Sequence, residues 1–186
     1  MNIHFVTGGA RSGKSRYAEQ LASQLAGEGQ VAYIATAVAS DEEMKNRIAL
    51  HRARRPAEWR TIESPTASGT AIVQAACSVI LLDCLTLFAS NVFLAVAPEG
   101  ELRARVAVLG AVERLLADVA PLPGELIVVS NEVGWSIVPD TEYGRWFRDV
   151  LGEANHRVAG AAATVTLLVA GCPLRIKPGG GDFRAE

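Results

Sequence analysis

The sequence has almost no net charge: 18 Lys and Arg stand against 20 Asp and Glu in 186 residues, a balance of −2. There is no broad basic field to hold a polyanion or an anionic membrane surface. The three tryptophans, Trp59, Trp135 and Trp146, form no stacking row, so nucleic acid is not an expected partner. Cysteine is sparse and odd in number, and Cys77, Cys84 and Cys172 include no CxxC pair. That spacing argues against a disulfide or metal framework and predicts buried, reduced thiols in a cytoplasmic protein. The opening MNIHFVTGG lacks a basic segment followed by a long apolar one, so no secretory signal is expected. The most apolar stretch, residues 71–97, is interrupted by Gln74, Asp83 and Asn91 and falls short of a membrane span. Lysine occurs only at Lys14, Lys45 and Lys177.

What is present is a series of short, continuous apolar runs: 2–8, 31–36, 78–83, 125–130 and 164–170. Runs of this kind predict strands buried on both faces, with 164–170 the last of them, and WRTIES at 59–64 predicts one more. Between them, helical patterns cover 15–26, 66–77, 85–97, 101–119 and 141–160. SDEE at 40–43 fits a capping box, with Ser40 as N-cap and Glu43 three positions on. In the helix that follows, Met44, Ile48 and His51 share a face, and Pro56 ends the element. Strands alternating with helices predict an α/β fold, a mostly parallel sheet with helices on both faces. No internal repeat or linker divides it, so one domain is expected over 1–177, with a Gly-rich, loose tail over 178–186.

GGARSGKS, from Gly8 through Gly9, Ala10, Arg11, Ser12, Gly13 and Lys14 to Ser15, matches GxxxxGK[ST] between a strand and a helix. In that setting, glycines let backbone N–H groups turn toward phosphate oxygens, and the helix N-terminus adds partial positive charge. Lys14 reaches the β and γ phosphates, and the Ser15 hydroxyl can ligate Mg²⁺. A P-loop NTPase binding ATP or GTP is the expectation. Asp83 ends a strand, where it suits either a Mg²⁺-holding acid or the N-cap of the next helix. Asn131 and Glu132 follow another strand end and are candidate site residues, whereas His4 reads as structural and His156 as a surface residue.

His51 sits beside Arg52, Arg54 and Arg55, with Ala53 between them. Like charge disfavours the imidazolium, and a neutral imidazole is a competent nucleophile toward phosphorus. The arginines would then bind phosphates and stabilise departing pyrophosphate. The same residues also fit a helix-end histidine packed on Ile48 beside solvated arginines.

TGGARSGKS, YIATA, DEEM..RI..HRARRP..WRTIE, LLDCLT, SNEVG with IVP after it, and GCPLRIK occur in one order over residues 2–177. Together they resemble the bifunctional adenosylcobinamide kinase/adenosylcobinamide-phosphate guanylyltransferase family of cobalamin biosynthesis. The resemblance implies a RecA-like P-loop fold, adenosylcobinamide and its phosphate as substrates, and a homotrimer with sites between subunits. It implies that His51 is transiently guanylylated through a phosphoramidate. It also implies that Thr36, Ala37, Val38, Arg52, Ala53, Arg54, Arg55, Glu63 and Asp83 help bind GTP. The sequence departs from the family pattern at Ser130 and Ser136, on either side of NEVG. Without the resemblance, a simple P-loop small-molecule kinase or a nucleotide-switched binding module would fit the same loop.

Overall fold

The computed structural model describes residues 1–178, apart from Ser40, Arg54 and Ala67 and the side chains of Glu43 and Arg47. In chain order the elements are β1 (Asn2–Gly8), α1 (Lys14–Ala26), β2 (Val31–Ala35), α2 (Glu42–Ala53) and β3 (Arg60–Glu63). They continue with α3 (Ser68–Ala75), β4 (Val79–Asp83), α4 (Leu85–Val96), a 3₁₀ turn (Ala97–Glu99) and α5 (Glu101–Val119). The chain then forms β5 (Glu125–Val129), α6 (Glu142–Ala161), β6 (Thr164–Val169) and β7 (Cys172–Lys177). The seven strands make one sheet in the order β3-β2-β4-β5-β1-β6-β7. All neighbours run parallel except β6 and β7.

The apolar runs are continuous because both faces of the sheet are covered. Phe5, Ile34, Ile80, Leu82, Leu126 and Val128 point to one side, against α3, α4, α5 and α6. Their neighbours Val6, Tyr33, Val79, Leu81, Ile127 and Val129 point to the other, where Ala18 and Ala22 of α1 pack closely. His4, in β1, is placed across the sheet, with Nδ1 2.8 Å from Thr164 Oγ1 and Nε2 2.7 Å from Glu125 Oε2. It is structural, as expected, and His156 is exposed on α6.

Three expectations need correction. The run 164–170 is not the last strand, because β7 follows it antiparallel at the sheet edge. Nearly every β7 side chain is exposed and Pro173 lies within it, so it carries no apolar pattern; an edge strand tolerates such a proline. The thiols are free, but only Cys84 is buried; Cys77 is half-buried and Cys172, on β7, is exposed. At α2 the cap is Asp41, whose Oδ1 accepts from the Met44 N–H at 2.8 Å. The expected Ser40 cap and the Glu43 side chain lie outside the described residues, as does the tail beyond Pro178.

Phe88 of α4 is 2% exposed at the centre of the larger core. Phe88→Ala should cost about 3–5 kcal/mol through lost burial and the cavity left behind. Urea denaturation measures this, and a loss below about 1 kcal/mol would contradict the packing described.

Candidate active site

β1 ends at Gly8, and the chain turns through residues 9–13 before α1 begins at Lys14. A Cβ on Gly8 would lie 2.5 Å from Leu168 O and 2.8 Å from Ser12 Oγ, so no other residue fits there. Gly13 takes φ 91° as N-cap of α1 and offers no side-chain acceptor, leaving the first N–H groups of the helix to an incoming anion. Lys14 folds back over the loop, its Nζ donating to Gly9 O at 2.9 Å. The β6–β7 turn is tied to the same loop, as Gly171 N–H donates to Ser12 O at 3.0 Å.

Beside the loop, across the C-terminal ends of β2 and β4, lies a cavity of about 260 Å³. Lys14 and Ser15 line it from α1, Asp83 from β4, His51 and Arg55 from the end of α2 and just beyond, and Glu63 from β3. Met44 and Ile48 complete the α2 face, as the helical spacing predicts. Tyr33 organises the floor: its hydroxyl donates to Asp83 Oδ2 at 2.6 Å, and the Arg55 guanidinium lies 3.3 Å above its ring centroid. Arg55 Nη1 also donates to Thr61 Oγ1 at 3.3 Å, while its buried Nε has no hydrogen-bond partner among the described residues. His51 Nδ1 stands 3.9 Å from Asp83 Oδ2, so the imidazole faces a carboxylate.

Tyr33 and Cys84 are shifted from their ordinary range. Burial, and then the Asp83 carboxylate, push the Tyr33 phenol up, with Arg55 acting in the opposite sense. Burial and then Asp83 push the Cys84 thiol up to about 12, which keeps it in the unreactive thiol form near neutrality.

The other residues singled out from sequence distribute unevenly. Ala37 lines the cavity, whereas Val38 is 50% exposed and does not. Thr36 is fully buried; its hydroxyl donates to Cys84 O at 2.8 Å and accepts from Cys84 N–H at 2.7 Å, joining the ends of β2 and β4. Arg52 and Ala53 are exposed outside the cavity lining, and Arg54 lies outside the described residues. Of the two readings open for Asp83, the cap is excluded, since Cys84 is the N-cap of α4. Asn131 lines the cavity. Tyr33 was missed, because nothing in a continuous apolar strand marks one tyrosine as facing a site.

Comparison with known proteins adds a decisive observation. The family model described as cobinamide kinase / cobinamide phosphate guanyltransferase matches residues 4–176. The chain belongs to that family. A bifunctional adenosylcobalamin biosynthesis protein CobP of Pseudomonas aeruginosa is 44% identical, with 92% of this chain and 95% of that protein covered. A CobU protein of the same description from Salmonella typhimurium is 40% identical over 92% of this chain and 98% of its own length. The cobinamide kinase / guanyltransferase family is thus one of transferases. A KaiC-like protein from Pyrococcus horikoshii superposes with TM-score 0.53 at 11% identity, covering 89% of this chain and 70% of that one. A second solved structure, an ATPase domain, gives 0.50, also at 11% identity, covering 89% and 68%. The expected RecA-like P-loop NTPase fold is borne out.

With its pKa near 12, Cys84 should resist thiol reagents in the native protein at pH 8, while exposed Cys172 reacts at once. Mass mapping after a short pulse of an alkylating reagent reads this directly, and Cys84 should become labelled only on unfolding. Prompt labelling of Cys84 would show that it is not buried as described.

Proposed function

We propose that the chain phosphorylates the hydroxyl of adenosylcobinamide with ATP or GTP and then transfers GMP from GTP to adenosylcobinamide phosphate, through guanylylated His51. The observation that carries this reading is that Lys14, Ser15 and Asp83 share one cavity with His51 and Arg55. In this reading the phosphate-binding groups and a nucleophilic imidazole would face one nucleotide held in that cavity.

In the kinase step the substrate hydroxyl oxygen bonds the γ-phosphorus as the bridging P–O bond to the nucleoside diphosphate breaks. Lys14 and the N–H groups of the loop hold the phosphate oxygens in place for this. In the guanylyl step a ring nitrogen of His51 bonds the α-phosphorus and pyrophosphate leaves. The phosphate of the second substrate then displaces the imidazole, giving adenosylcobinamide-GDP. Arg55, held 3.3 Å over the Tyr33 ring, would stabilise the departing charge.

The residues fit magnesium. The Ser15 hydroxyl and Asp83, whose side chain is 11% exposed, are hard oxygen donors on one cavity. No group of three or more His, Cys, Asp or Glu among the described residues could hold a metal alone, which suits an ion that takes most ligands from phosphates and water. Magnesium would supply charge neutralisation on the β and γ phosphates. No described helix is long and apolar enough to cross a membrane. We read the protein as a cytoplasmic homotrimer, which light scattering tests.

His51→Asn should abolish acid-labile labelling from α-³²P GTP and abolish guanylyl transfer, while most kinase turnover remains. Undiminished transfer would remove His51 as the nucleophile, and an unlabelled wild type would favour a simple kinase. Arg55→Ala should raise the dissociation constant for GTP tenfold or more, as expected for losing a charge-assisted hydrogen bond worth roughly 1.5–3 kcal/mol. Binding of the corrin substrate should change little. Calorimetric titration measures both.

A further inference from the structure

A buried polar network lies under the C-terminal edge of the sheet, and neither step above uses it. Thr7, Thr86, Ser130 and Asn155 are each at most 9% exposed. The Thr86 and Ser130 hydroxyl oxygens are 3.2 Å apart, and Ser130 donates to Asn155 Oδ1 at 2.7 Å. Asn155 Nδ2 donates to Asn131 O at 3.1 Å and to Glu132 Oε1 at 3.4 Å. Thr7 donates to the same Glu132 oxygen at 2.6 Å, and the Glu132 N–H donates to Gly8 O at 3.1 Å. A network of this kind fixes its members firmly when every buried group is satisfied. Here it grips one carboxylate by one oxygen. The second, Oε2, accepts no hydrogen bond among the described residues.

The position is as pointed as the bonding. β5 lies between β1 and β4, and its last residue, Val129, is paired with Val6 on one side and Asp83 on the other. Residues 130–132 therefore emerge between the phosphate loop and Asp83, and Asn131 lines the cavity with Lys14. Strand ends of this kind are where α/β folds hold ligands.

The two reactions differ in one chemical need. A neutral imidazole attacks phosphorus through a lone pair, and the phosphate that later displaces it is already an anion. Only the hydroxyl of the kinase substrate carries a proton that must leave. We propose that Glu132 is the general base of the kinase step, an inference that rests on the kinase reading above. Its Oε2 takes the hydroxyl proton as that oxygen bonds the γ-phosphorus and the nucleoside diphosphate departs. Thr7 and Asn155 are positioning residues that aim the carboxylate.

Glu132→Gln keeps the size of the side chain and an oxygen to accept from Thr7. Its kinase kcat should fall about 10²–10⁴-fold, the usual contribution of a positioned base. The KM for adenosylcobinamide should change little. Labelling of His51 from α-³²P GTP, and GMP transfer to preformed adenosylcobinamide phosphate, should stay within about twofold of wild type, since neither uses a base in this scheme. Thr7→Val should lower kinase kcat and Thr7→Ser should restore it. Wild-type kinase turnover in Glu132→Gln overturns the proposal. So does a rise in KM alone, or loss of both half-reactions in the folded variant, which would make the network structural. A wild type that transfers GMP but phosphorylates no cobinamide would overturn the kinase reading itself, and the inference with it.

Discussion

Strands that are apolar on both faces have to be covered on both faces, and the rest of this molecule follows from that requirement. β1, β2, β4 and β5 alternate their side chains between the α3–α6 layer and the α1 layer, and no face of these strands is left for water. Covering both faces demands helical crossovers, and crossovers make neighbouring strands parallel. Parallel strands all end at the same edge. The polar side chains that the core cannot accept, Asp83, Asn131 and Glu132 among them, gather there beside the phosphate loop.

That edge assembles groups from six separate stretches of chain around one cavity. The interactions holding them are few and specific. Tyr33 joins Asp83 through its hydroxyl and Arg55 through its ring, so a residue of β2 aligns an acid from β4 and a cation that follows α2. Thr36 does similar work one turn of chain later by closing on both backbone groups of Cys84. Each of these side chains is thus engaged by its neighbours, and fixed polar groups of that kind are what electrostatic catalysis uses.

Two chemistries on one nucleotide site place different demands on the protein. In the reading proposed here, phosphate binding is common to both, and the parts that differ come from different elements of the fold. The imidazole comes from α2, and the carboxylate of Glu132 comes from beyond β5, on a buried polar network reaching into α6. The network is anchored in the core, with Thr7, Ser130 and Asn155 all buried.

The strands, the helices and the phosphate loop were legible in the sequence because each depends on residues close together in the chain. Continuous apolar runs located five strands to within a residue or so, and Gly8–Ser15 could be read from its flanks. β7 was not legible, since an exposed edge strand needs no apolar pattern, and the cap of α2 moved from Ser40 to Asp41 because either residue type can serve. Which side chains meet at the cavity was a tertiary decision. Arg55 faces it while Arg52 does not, and Tyr33 and Asn131 join it, because helix phase and strand register decide which way a side chain points. The family's motifs already contained His51, Asp83 and Glu132; only the folded sheet, by setting β5 between β1 and β4, placed the third between the phosphate loop and the second.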